Sequence, residues 1–216
     1  MPISMKQSRN INNPYDSDTY GDIGRFMSYF YQIKSIRKTK TKNILEIGIG
    51  TRTVSSYLKS NGYDITTCDL DAHRNPDIVG DIRNIPINDN SFDSVIACEI
   101  LEHIPWNDFE LALSELHRVS RKYVIISIPY KALSFQLILK TPLIGYLFNN
   151  YFISLVARIP LFLKKHKFDG DHYWEMGARG HSKAKIKKIL KRKFKIINED
   201  VPLLATNHHF FVLKKI

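Results

Sequence analysis

Between residues 43 and 128, short apolar runs alternate with amphipathic stretches, and this alternation limits the folds open to the chain. Residues 43–47, 64–69, 77–79, 91–98 and 123–128 are runs of strand length, and the last stops at Pro129. Between them, Val54, Tyr57 and Leu58 line one face of a helix closed by Asn61-Gly62. Phe109, Ala112, Leu113 and Leu116 line a second helix, and Asn107 with Glu110 three residues on predicts a capping box. Ser182 caps a third helix carrying Ile186, Ile189 and Leu190, and strands over 194–200 and 208–213 follow. Strand–helix–strand order with apolar strands predicts an α/β fold: a Rossmann-like, doubly wound, mostly parallel seven-stranded sheet.

Two segments stand outside this rhythm. Residues 1–42 read as an N-terminal arm and a helix, with Ile23, Phe26, Met27, Phe30 and Ile33 at helical spacing behind Asp22 as cap. The main domain then spans 43–216. Within it, residues 130–165 are mostly apolar and read as a helical insertion covering the domain. Lys140, Pro142, Arg158 and Pro160 interrupt them, so no run reaches the roughly 18–20 uncharged residues of a membrane span. The insertion fits an ordinary cover, a dimer interface or a membrane-facing lid.

Chemistry concentrates at the strand ends. Leu45-Glu46-Ile47-Gly48-Ile49-Gly50-Thr51 joins the first strand to the next helix. Glycines there let the backbone approach a ligand at a helix N-terminus, although a tight turn alone asks for the same residues. Asp69 ends the second strand, 19 residues after Gly50, where an acidic residue binds ribose hydroxyls. Gly80-Asp81-Ile82 follows the third strand, and Cys98-Glu99-Ile100-Leu101-Glu102-His103-Ile104 ends the fourth. These positions trace the crevice at the carboxyl edge of an open α/β sheet.

With these motifs the chain resembles the class I S-adenosylmethionine-dependent methyltransferases, near the broad ubiquinone/menaquinone-methylase-like group. The resemblance is specific over about 40–130, and Leu101-Glu102-His103-Ile104 matches a stretch that recurs in that group. It implies S-adenosyl-L-methionine as cofactor. Glu46, Gly48, Gly50 and Thr51 would form the loop on its methionine side. Asp69 would bind the ribose, Asp81 and Ile82 would flank the adenine, and Glu99 would sit beside the sulfonium. Arg52 stands where the family usually has a third glycine, which bears on the shape of the loop.

Methyl transfer to a hydroxyl or ammonium also needs a proton acceptor. His172 is one candidate and His103 another, each of which packing alone could explain. Asp171-His172-Tyr173-Trp174-Glu175, between Gly170 and Gly177, offers Tyr173, Trp174 and Glu175 as acceptor-binding residues; a structural loop around a buried Trp is the alternative. No closely spaced Cys/His set is present, so no metal is expected. Cys68 and Cys98 form no disulfide framework, and the polar N-terminus lacks a signal core, which predicts a cytoplasmic protein.

The net charge of +11 suits polyanions or an acidic membrane surface, and equally suits lysines in solvent. Nucleic acid is disfavoured, because aromatics are not interleaved with the lysines. The expected partner is a small-molecule, glycan or lipid-linked acceptor, with peripheral membrane contact left open. An RNA methyltransferase and a non-catalytic cofactor-binding scaffold or sensor are the competing readings.

Overall fold

Strand β1 (Asn43–Ile47) turns Ile44 to one face of the sheet and Leu45 to the other, and both are fully buried. The same alternation runs through its neighbours, which is why these strands are apolar almost throughout. The computed structural model describes residues 22–142, 152–161 and 166–216. Seven strands form one sheet in the order β3-β2-β1-β4-β5-β9-β8. They are β1, β2 (Asp64–Asp69), β3 (Ile78–Val79), β4 (Phe92–Cys98), β5 (Ser120–Pro129), β8 (Phe194–Asp200) and β9 (His208–Lys215). The first five pair in parallel, and β9 inserts antiparallel between β5 and β8. The sheet is the one expected from the sequence.

Helices cover both faces. Ile44, Ile96 and Ile125 pack with Tyr31 and Ile36 of α1 (Ile23–Thr39) and with Val54 and Leu58 of α2 (Thr53–Ser60). Leu45, Val95 and Val124 share the opposite core with Phe109, Leu113 and Leu116 of α3 (Phe109–Val119). Ile186 and Leu190 of α4 (Lys183–Leu190) join that second core. Each such side chain contributes roughly 1.5–3 kcal/mol on burial, so the sheet is held from both sides. Asp22 and Ser182 cap α1 and α4, accepting bonds from the Arg25 and Lys185 amides. A boundary after residue 42 would separate α1 from β1, two elements that share one core.

Two local expectations fail. The capping box does not form, because a 3₁₀ turn over Trp106–Asp108 precedes α3 and places Asp108 at the N-cap. The carboxylate of Asp108 is drawn to Arg83, 3.0 Å away, and Glu110 pairs with Arg192.

The helical insertion is also wrong where it is described. Residues 132–140 and 152–160 are strands β6 (Ala132–Lys140) and β7 (Phe152–Pro160), paired antiparallel as a separate two-stranded sheet. Their polarity repeats every two residues. Ser134, Gln136, Ser154 and Arg158 turn inward, and Arg158 donates to the His208 carbonyl while Gln136 accepts from the Leu204 amide. Leu133, Phe135, Leu137, Leu139, Leu155 and Ile159 face outward and are exposed. A two-residue period cannot keep one face of a helix apolar. Residues 143–151 and 162–165 of the expected insertion lie outside the described residues. Among the described residues no helix is long and apolar enough to cross a membrane.

Candidate active site

At the carboxyl edge of the parallel strands lies a cavity of about 1240 Å³. Its first wall is the β1–α2 turn. Gly48 and Gly50 have φ of +76° and +48°, a region that glycine enters without steric cost. A Cβ on Gly48 would sit 2.0 Å from Cδ1 of Ile100, so any larger residue would force Ile100 to move. Arg52 is left-handed as well, with φ of +61°, where a third glycine would relax the chain. Its guanidinium is held by the backbone carbonyls of Arg74 and Asn75, which offsets part of that strain.

Carboxylates line the cavity floor. Glu46 is buried, and its Oε2 has no hydrogen-bond partner. Burial pushes its carboxyl up to about 7, and Ser55 and Arg52 counter this only in part. Asp69 Oδ2 accepts from the Ile49 amide at 2.9 Å and Oδ1 from the Asp71 amide at 2.9 Å, so the aspartate also shapes the glycine turn. Asp81 is gripped by Arg83, whose hydrogen bonds hold its carboxyl below the usual range.

Glu99 closes β4 with φ of +52°, a strained conformation of the kind that collects at functional sites. Its Oε1 accepts from Ser127 at 2.6 Å and lies 3.1 Å from Nδ1 of His208. Burial acts to raise this carboxyl, but His208 and Ser127 outweigh it and hold it below the ordinary value. Glu102 is fully buried with both carboxylate oxygens unpartnered. Burial, and then the charge of Glu99, push its carboxyl well above the ordinary range.

The loop before α4 supplies the remaining wall. His172 Nδ1 lies 3.0 Å from Glu175 Oε1, and Lys131 Nζ lies 3.1 Å from Glu175 Oε2. The bond to Glu175 raises the His172 pKa above its ordinary value and lowers that of Glu175. The His103 ring meets the His172 ring edge-on at 5.0 Å.

Glu46, Gly48, Gly50, Asp69, Asp81, Ile82, Glu99, His103, His172, Tyr173 and Glu175 thus line one cavity. Two expected residues do not. Thr51 turns away to Tyr29 and Thr53, at 3.0 and 2.8 Å. Trp174 is fully buried between Trp106 and Phe109, and its Nε1 donates to the Ile104 carbonyl. An indole buries more apolar area there than a ligand contact would need, and its one polar atom is satisfied.

Other lining residues escaped the sequence reading. Arg25, Tyr29 and Gln32 come from α1, and Lys131, Asn207 and His208 come from the chain flanking β5 and β9. The α1 set stands at i, i+4 and i+7, a polar stripe legible as one helix face.

Residues 45–128 match the family described as "Methyltransferase domain". No curated protein matches the chain. Among solved structures, magnesium protoporphyrin IX methyltransferase from Synechocystis, with bound SAH, superposes with a TM-score of 0.60 at 15% identity. That match covers 90% of this chain and 84% of the other. An S-adenosylmethionine-dependent methyltransferase from Clostridium acetobutylicum gives 0.60 at 13%, covering 93% and 96%. The 1,6-didemethyltoxoflavin-N1-methyltransferase of Burkholderia thailandensis, with 1,6-didemethyltoxoflavin and S-adenosylhomocysteine bound, gives 0.58 at 12%, covering 92% and 81%. At these identities the likeness is one of fold.

Proposed function

We propose that this chain is a class I, Rossmann-like methyltransferase that uses S-adenosylmethionine, and that its acceptor is a polar small molecule or glycan end group bearing a hydroxyl or amine. One observation carries this reading: a single cavity joins the Glu46–Gly50 turn to the His103, His172, Tyr173 and Glu175 wall. The first part suits the cofactor. The orphaned Glu46 oxygen suits an ammonium group, and the left-handed turn at Gly48 and Gly50 brings the backbone to the cavity wall. Asp69 suits ribose hydroxyls, and Asp81 with Ile82 suits the adenine. The cofactor, when bound, supplies an already activated methyl group, so the chain contributes position and water exclusion.

The second part suits the acceptor. Tyr173 is half-exposed and offers a ring face and a hydroxyl, and His172, held by Glu175, offers an imidazole for the acceptor's proton. The lysines are not interleaved with aromatics as a nucleic-acid surface needs, which weighs against RNA despite the positive net charge. A lipid-linked form of the same acceptor is a second reading. The exposed apolar face of the β6–β7 hairpin favours it, since a lipid carrier would meet that face.

Labelled S-adenosylmethionine incubated with the enzyme and fractionated cell extract tests the proposal. Label is expected in the polar-metabolite, glycan or lipid pool. Label confined to RNA would overturn it, and binding without any transfer would identify a scaffold or sensor.

The raised Glu46 carboxyl gives a pH prediction. Its folded value of about 7 exceeds the ordinary 4.5. The unliganded protein is therefore favoured below the lower value, and this contribution is lost as pH rises through about 7. Cofactor binding runs the other way, because an ammonium group pairs with the ionised carboxylate. Affinity for S-adenosylmethionine should be about tenfold weaker at about pH 6 than at about pH 8. Glu46→Gln should remove this slope. Calorimetry giving the same affinity across that range would refute the pairing.

A further inference from the structure

We propose that Glu102, His103 and His172 form a binding site for one divalent transition-metal ion, on the acceptor side of the cavity. One ligand atom from each of the three lies within 4.8 Å of the others, and all three residues line the cavity. Glu102 is fully buried and neither of its oxygens has a hydrogen-bond partner, which is costly for a carboxylate unless a cation completes it. Glu99 is a second buried acid nearby, but its charge is already met by His208 and Ser127.

The imidazoles are set as metal ligands are set. His103 Nδ1 lies 2.9 Å from Asp171 Oδ1, and His172 Nδ1 lies 3.0 Å from Glu175 Oε1. A carboxylate on Nδ1 fixes the tautomer and turns Nε2 toward the site, where His172 Nε2 lies 3.7 Å from the exposed Asp171 Oδ2. His103 Nε2 is 4.0 Å from Glu102 Oε1. Ligand atoms around one zinc-sized ion stand roughly 3–3.5 Å apart, so closure by about 1–2 Å completes the set. Two imidazoles with one carboxylate favour a first-row transition metal over Mg²⁺ or Ca²⁺. A neighbouring trio, His166, Asp169 and Glu175, also clusters. There the Lys131 ammonium, 3.1 Å from Glu175, already supplies the positive charge.

Closely spaced ligands are the sign of a metal site in a sequence, and these three are not all close in the chain. Here 69 residues separate His103 from His172. The ion's role rests on the methyl-transfer reading, but its binding does not. With His172 Nε2 on the ion, that imidazole could not also take the acceptor's proton; a hydroxyl acceptor on the ion would instead be oriented and more readily deprotonated by it. Its O–H bond breaks with the proton passing to solvent, an O–C bond forms, and the C–S bond of the cofactor breaks to release S-adenosylhomocysteine.

Chelator-treated full-length protein is titrated with Co²⁺ and followed by visible absorption, with S-adenosylmethionine affinity measured in parallel. One equivalent of Co²⁺ is expected, with bands of a nitrogen- and oxygen-ligated ion. Glu102→Gln and His172→Ala should each weaken Co²⁺ binding at least about tenfold. His117→Ala, remote from the cavity, should leave it unchanged. Unaltered S-adenosylmethionine affinity in these variants shows that they are folded and keeps the methyltransferase reading separate. No saturable Co²⁺ binding, or binding indifferent to both cavity substitutions, overturns the site.

Discussion

Gly48→Ala should abolish measurable S-adenosylmethionine binding and destabilise the fold by about 2–4 kcal/mol, the sum of a left-handed alanine and an overpacked contact. Two separate costs meet at this residue. The φ of +76° disfavours any L side chain, and the new Cβ would stand 2.0 Å from Ile100 Cδ1 and 2.6 Å from Cγ1. Ile100 lies between Glu99 and Leu101, so a shift there disturbs the strand end that carries Glu99 and Glu102. Denaturant unfolding reads the stability and calorimetry the cofactor. A second variant, Gly48→Ala with Ile100→Ala, separates the causes. It should recover the part due to the clash and keep the part due to φ. If Gly48→Ala alone binds cofactor normally, the turn does not approach the ligand as described.

His172→Ala should lower kcat by about 10²–10⁴-fold, the range of a positioned proton-transfer group, while cofactor affinity changes by less than about twofold. The split follows from position. His172 sits on the loop before α4 with Glu175, which Lys131, just after β5, holds, whereas Glu46, Gly48 and Asp69 sit on the strand ends of β1 and β2. Whether the imidazole meets the acceptor's proton directly or through a bound cation, the loss falls on the acceptor's step. Glu175→Gln, which keeps the shape but weakens the hold on Nδ1, should cost less than removal of the ring. A parallel fall in S-adenosylmethionine affinity, or an unchanged kcat, would move the acceptor elsewhere in the cavity.

How far the site could be read ahead of the structure depended on the distance over which each residue acts. Glu46, Gly48 and Gly50 belong to one strand-to-turn motif, and Asp69 stands at a fixed step from it, so the sequence already groups residues that line one cavity. Thr51 belongs to the same motif yet misses the cavity, because the turn directs its hydroxyl to Tyr29 on α1. Trp174 was misread for the opposite reason. Its neighbours His172, Tyr173 and Glu175 line the cavity, but the loop turns the indole into the Trp106–Phe109 core. A loop has no period from which to tell inward from outward. The β6–β7 hairpin did have one, but its leucines and isoleucines obscured the two-residue alternation set by Ser134, Gln136, Ser154 and Arg158.

By itself, then, the sequence determined the parallel α/β sheet and the cofactor turn. Both are written in periodicities and glycines that act within about ten residues. Only the tertiary structure decided the cavity wall of His103, His172 and Glu175. Parallel strands need long crossovers, so residues at neighbouring strand ends are far apart in the chain. Glu102 and His103 meet His172 because β5 places Pro129 and Tyr130 beside Met176, bringing the loop before α4 over the end of β4. That contact depends on how the sheet and loop pack together, and no local pattern in the chain encodes it.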